Sequence, residues 1–131
     1  MKFKVSDSFH AEYVVNAQIH QLFLEISNDH NLLHTDREFA VSKGFKANVM
    51  HGNILNCFLS HFIGEGLPHK NVVIHSQTIQ FNNPVYLDEK LQFQAKVEDI
   101  IESVNVVIFK YNFKNESLKS VAKGKIQIGL L

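Results

Sequence analysis

Apolar residues recur with a helical period in the first half of the chain and with a strand period in the second. Ile19, Leu22, Phe23 and Ile26 fall at i, i+3, i+4 and i+7, which predicts an amphipathic helix with Asn16 as N-cap and that stripe turned to the core. Thr35 and Glu38 have the spacing of a capping box, so a short helix is expected to start at Thr35 and stop at Gly44. In HGNILNCFLSHFIGEGLP, residues 51 to 68, apolar side chains lie on nearly every face of a helix that must therefore be wrapped by the rest of the fold. From Val72 to Leu131 the β-branched and aromatic runs VVIHSQTIQF, KLQFQAKVEDI, SVNVVIFKYNF and SVAKGKIQIGL predict about four strands, and Phe9 to Val15 supplies one more. The breaks at NNPVYLDE, Glu102-Ser103 and KNES suit hairpin connections. The expected fold is α+β, an antiparallel sheet of about five strands wrapped around a long central hydrophobic helix.

Length and charge narrow the class. The 131 residues fit one domain, with Pro68 and Pro84 marking turns and no linker or repeat between them. Lysine plus arginine and aspartate plus glutamate number 13 each, which removes the bulk electrostatic reason to expect nucleic acid or an anionic membrane as partner. No apolar run approaches the ~20 residues of a membrane span, and the N-terminus has no signal-like apolar stretch, so a cytoplasmic protein is expected. Cys57, the one cysteine, lies in an apolar run and reads as an inert buried thiol. The sequon Asn115-Glu116-Ser117 carries no weight without a secretory signal.

The chemistry concentrates in NDHNLLHTD, residues 28 to 36, immediately after the first helix. Taken as residue types alone, it is either capping and turn material or the working part of a site. A carboxylate at Asp29 and an imidazole at His34 are suited to acid-base work on one water molecule. His34-Thr35-Asp36 also has an H-x-D form, with His51, His61 or His75 as a third ligand, but no paired cysteines or H-E-x-x-H accompany it, and no metal is expected. G-x-S-x-G, P-loop and G-x-G-x-x-G motifs are missing, which leaves serine hydrolase, nucleotide and dinucleotide chemistry without an anchor. His30, His61, His69 and His75 read as surface or satisfied residues, His51 as a structural hydrogen-bonding residue at a helix start, and Phe81 as core.

The order Ser27, Asp29, Asn31, His34, Asp36, followed by His51-Gly52 and a hydrophobic helix carrying Ser60, resembles the MaoC-like family, which includes the (R)-specific enoyl-CoA hydratases of the hot-dog fold. The likeness continues through Leu67-Pro68, Gln77, Phe81, Pro84-Val85 and Lys96-Val97 to Gly124, over most of a single domain spanning residues 1 to 131. It departs at Leu32, where the family has proline, and at Leu87, where glycine is usual. The resemblance implies reversible hydration of trans-2-enoyl thioesters on CoA or acyl carrier protein. Asp29 and His34 would be the catalytic pair, and Asn31 would hold the loop. The Gly52 N–H would face the thioester oxygen, and Ser60 would give polar support. It implies no cofactor beyond the CoA or phosphopantetheine of the substrate, and a homodimer or higher homo-oligomer. A hot-dog thioesterase and a non-catalytic acyl-thioester-binding subunit are the rival readings.

Overall fold

The structure, a computed structural model, describes residues 2–131. Six strands form one sheet: β1 (Ser8–Val14), β2 (Val72–Gln77), β3 (Gln80–Phe81), β4 (Lys90–Ile101), β5 (Val106–Lys114) and β6 (Ser120–Leu130). Every pairing is antiparallel, in the order β1-β4-β5-β6-β2, with β3 also on β6. Strict alternation orients the sheet: in β4, Leu91, Phe93, Ala95 and Val97 are buried while the residues between them are exposed. The inward face curls around α4 (Ile54–His61), whose Ile54, Leu55, Phe58 and Leu59 are buried. Phe62 stands 4.9 Å from Phe93, centroid to centroid, and Tyr13 stacks on Phe58 at 4.6 Å. Truncating a ring such as Phe109, fully buried in this cluster, is expected to cost roughly 3–5 kcal/mol. The expected wrapping of a hydrophobic helix by an antiparallel sheet is therefore found.

Five expectations need correction. The central helix is regular only to His61 and continues as a π-helical turn over Phe62–Gly66, which keeps the adjacent Phe62 and Ile63 both buried. The run VVIHSQTIQF is two strands, because the register shifts between Ile74 and Ser76 and the chain then breaks at Thr78, where the carbonyl accepts a hydrogen bond from Tyr111 Oη at 2.6 Å. A side chain at Gly124 would collide with that carbonyl, its Cβ only 2.0 Å away, so the crossing requires glycine.

At the second helix, Thr35 ends α2 (Leu32–Thr35), and Asp36, not Thr35, caps α3 (Arg37–Ser42) by accepting from the Phe39 N–H. Gly44 does end that region, at φ +95°. Lastly, α1 (Ala17–Ser27) is capped by Asn16 as expected, but Leu24 is its one buried residue. Ile26 is 84% exposed and Leu22 more than half, because the sheet already closes around most of α4 and α1 meets the core with one edge of its stripe. The remainder of the stripe, with Ile54 and an exposed Cys57, lines an open apolar groove; the cysteine is not the buried thiol expected. No helix among the described residues is long and apolar enough to cross a membrane.

Candidate active site

The loop after α1 is built by its own polar side chains. Ser27 Oγ donates to the Phe23 carbonyl and accepts from the Asp29 N–H. Asp29 Oδ1 in turn accepts from the Asn31 N–H at 3.1 Å, and Asn31 Oδ1 accepts from Leu33 N–H at 2.9 Å, capping α2. Asn28, at φ 55°, turns the chain out of α1 in a left-handed conformation that asparagine tolerates. Leu32 is the first residue of α2, where proline is also at home, so the departure from the family's proline leaves the helix start intact. Leu87 is half-exposed, and the left-handed residue of its turn is the following Asp88.

The second half of the site comes from the segment before α4. His34 Nδ1 lies 2.8 Å from the Val49 carbonyl, and since a carbonyl only accepts, that nitrogen bears a proton; in the neutral imidazole Nε2 is then free to accept. Asn48 Nδ2 donates to the His34 carbonyl. His51, 3% exposed, donates from Nε2 to the Asp29 backbone carbonyl at 2.9 Å and packs against the His34 ring at 4.0 Å. The outcome is a carboxylate oxygen of Asp29, Oδ2, facing His34 Nε2 at 4.0 Å and His51 Nε2 at 3.8 Å. At 4.0 Å the first contact is too long for a direct hydrogen bond, but it accommodates one water oxygen bonded to both groups. Asp29 is half-exposed and His34 mostly buried, so the pair sits at the boundary between solvent and the interior.

His34 lines a cavity of about 370 Å³ together with Val49, Gly52, Leu55, Phe81 and Val85. Gly52 lies in the turn leading into α4, its carbonyl bonded to the Leu55 N–H, and its own N–H makes no hydrogen bond among the described residues. The Phe81 ring crosses directly over it: a Cβ at position 52 would stand 2.7 Å from the ring. Phe81 is thus a half-exposed wall of the cavity, 51% exposed, instead of core.

The structure brings Asp29, Asn31, His34 and Gly52 together. Ser60 is exposed on α4 and does not line the cavity. Sequence reasoning missed how closely His51 attaches to Asp29, a contact across 22 residues that no local spacing announces, and it missed His20, whose ring lies 5.6 Å from that of His51. Burial, then repulsion from His51 and His34, holds His20 below the usual histidine range.

Asp36, the carboxylate of the H-x-D form, is engaged as a helix cap. Asp29, His34 and His51 do present ligand-type atoms within 4.8 Å of one another. With the Nε2 proton of His51 directed at a carbonyl, however, only the carboxylate and one imidazole nitrogen offer lone pairs there, which suits proton transfer better than metal binding.

An antiparallel sheet around a hydrophobic helix, with the histidine of an aspartate–histidine pair lining an open cavity, defines a hot-dog protein. The chain belongs to the MaoC-like domain family, whose profile matches residues 5–117. A solved (R)-hydratase from Aeromonas caviae involved in PHA biosynthesis superposes with TM-score 0.92 over 99% of this chain and 98% of that one, at 22% identity, which shows the fold. In sequence, the chain is 28% identical over 125 residues to the mitochondrial 3-hydroxyacyl-[acyl-carrier-protein] dehydratase of Arabidopsis thaliana, covering 93% of this chain and 74% of that protein. It is 30% identical over 80 residues to the (R)-specific enoyl-CoA hydratase of Aeromonas caviae, 61% of this chain and 60% of the relative.

Proposed function

We propose that the chain reversibly hydrates trans-2-enoyl thioesters to (3R)-3-hydroxyacyl thioesters. The observation that carries this reading is the facing of Asp29 Oδ2 and His34 Nε2 across a 4.0 Å gap beside the cavity. One water molecule in that gap donates to both. As its oxygen bonds to C3, the O–H bond breaks and the pair takes the proton. The negative charge that moves onto the thioester oxygen is placed against the Gly52 N–H, at the positive end of α4. The proton held by the pair then bonds to C2, and the aspartate and histidine return to their starting states. His51 positions Asp29 and does not touch the reacting atoms. The names of the relatives support the same chemistry and stereochemistry. CoA or phosphopantetheine enters only as part of the substrate.

The chain is also proposed to work as a homodimer. The apolar groove of Ile19, Leu22, Phe23, Ile26, Ile54 and Cys57, and the unpaired outer edge of β2, support association with a second copy. Sedimentation of the purified chain checks this, with a monomer at micromolar concentration speaking against it.

The activity is tested by following the conjugated-enoyl absorbance of crotonyl thioester while titrating free thiol. Hydration removes the absorbance and leaves the thioester whole, whereas thioester hydrolysis releases thiol at the rate of any signal change. Binding without either change would indicate a subunit that holds acyl thioesters but does not transform them.

A further inference from the structure

The outer face of the sheet carries a feature that the hydration site does not use. Lys96 of β4, Lys110 of β5 and Lys125 of β6 stand directly opposite one another in one row across three strands, and Lys123 projects from the same face two residues along β6. All four are exposed and line a groove of about 640 Å³, larger than the cavity at His34. Lys125 pairs with Glu98 at 2.8 Å; Lys96, Lys110 and Lys123 form no ion pair among the described residues.

Ordinary explanations for surface lysines fit poorly. Like charges directly opposite on neighbouring strands destabilise a sheet. Lysines that guard against edge-to-edge pairing belong on edge strands, and β5 is the central strand of the order β1-β4-β5-β6-β2. Solubility is served as well by mixed signs, and the chain as a whole has equal numbers of each, so one sign has been gathered here. A second copy of the chain does not suit this face, since a two-fold pairing through it would set lysines against lysines.

We propose that this lysine row docks the acidic helical face of the carrier protein that delivers the acyl thioester. The proposal rests on the hydratase reading and deepens it. A protein surface fits better than a nucleotide phosphate: the lysines are exposed and spread across three strands, and the backbone N–H groups of β4, β5 and β6, which would have to supplement them around a phosphate, are engaged in ladders. The row spans two interstrand spacings, about 10 Å, which matches carboxylates at i, i+3 or i+4, and i+7 on one helix face. The location also serves delivery. Gln80 and Phe81 are successive residues of β3, and Gln80 lines the groove while Phe81 lines the cavity at His34, so an arm leaving a docked carrier passes one short edge strand to reach the site.

The test uses the triple variant Lys96→Gln, Lys110→Gln, Lys123→Gln, with the corresponding triple arginine variant as a charge-retaining control. For a crotonyl group on acyl carrier protein, kcat/KM is expected to fall about tenfold or more and to lose most of its salt dependence in the glutamine variant, while the same group on CoA reacts at the wild-type rate and the arginine variant stays near wild type. Equal losses on carrier protein and CoA, or no loss on either, overturn the docking surface while leaving the hydratase reading standing. Titration of crotonyl-loaded carrier protein followed by its own NMR shifts needs no turnover. If wild type turns over neither thioester, the hydratase reading fails, and this titration still decides docking: binding weakened by glutamine and kept by arginine supports it, and binding indifferent to the lysines overturns it.

Discussion

The two halves of the site are held in opposite ways. The loop from Ser27 to Asp36 is exposed except at Leu33 and His34, and the bonds made within it and back to α1 reach no further than five residues: Ser27 to Phe23, Asp29 to Ser27, Asn31 to Asp29, Leu33 to Asn31. The segment from Asn48 to Gly52 is partly buried and holds by contacts across the fold, with Val49 on the His34 ring, His51 on the Asp29 carbonyl, and the Met50 N–H on the Val85 carbonyl at 2.8 Å. In the proposed reaction the first half supplies the acid–base groups, in a shape the local chain dictates. The second half fixes their mutual orientation, and with it the tautomer of His34. Substitutions in the first half should therefore remove chemistry while sparing stability, and those in the second should cost both.

The largest effects are expected at the proposed catalytic pair. Asp29→Asn and His34→Ala should each lower kcat/KM for enoyl thioester by roughly 10²–10⁴-fold, with the double variant little worse than the slower single, because the two act on one proton. Thermal melting should stay near wild type for Asp29→Asn, since that side chain is half-exposed. His51→Ala breaks the pattern in the predicted direction. It removes a buried donor from the Asp29 carbonyl, is expected to cost roughly 1–3 kcal/mol in denaturant unfolding, and lowers kcat about tenfold by loosening Asp29. His51→Gln, which still carries a donor, should recover part of the rate.

Gly52→Ala forces the Phe81 ring off its position, since the new Cβ would lie 2.7 Å from it. It should raise KM more than it lowers kcat, and adding Phe81→Ala should return much of the loss, which a double-mutant cycle of kcat/KM measures. Leu32→Pro sharpens the comparison from the other side. Leu32 opens α2, and the preceding Asn31, at φ −52° and ψ 133°, is already extended, as a residue before proline must be. Fixing this loop should stabilise the fold by about 0.4–1 kcal/mol in chemical denaturation and leave activity near wild type.

The smallest effect is a pH dependence from His20. Its folded pKa is depressed by burial first and by the neighbouring histidines second, so the unfolded chain takes up its proton at a higher pH than the folded one. Stability from this group is complete above the ordinary histidine value and falls as pH drops from there towards the lowered one. His20→Gln should flatten that part of the unfolding free energy measured against pH.

Much of this was legible in the sequence, and the failures share a cause. The spacing S-x-D-x-N is a chain of short-range side-chain-to-backbone bonds, so a local pattern reports it directly. Alternation along β4 and the apolar saturation of α4 likewise report burial that the elements enforce themselves. Periodicity shows which face of α1 is apolar but not whether anything in the same chain covers it, and Leu22, Ile26 and Cys57 are exposed against expectation for that reason. Residue type alone puts Phe81 in the core, yet its ring lies over a glycine, which leaves it room at the surface. Thr35 and Asp36 are adjacent and both able to cap; Asp36 prevails because Thr35 is already the last residue of α2, its hydroxyl bonded to the Asn31 carbonyl. His51 was read as structural, which agrees with its burial. That its partner is the backbone of Asp29 depends on two segments meeting, which no spacing encodes.

The most direct test of the central claim is to run the reaction on crotonyl thioester in heavy-oxygen water and locate the label by mass spectrometry. The account predicts one heavy oxygen at C3 of an intact (3R)-hydroxyacyl thioester with wild type, and almost none with Asp29→Asn. Label in a free carboxylate accompanied by released thiol, or undiminished C3 labelling by the Asp29→Asn variant, would contradict it.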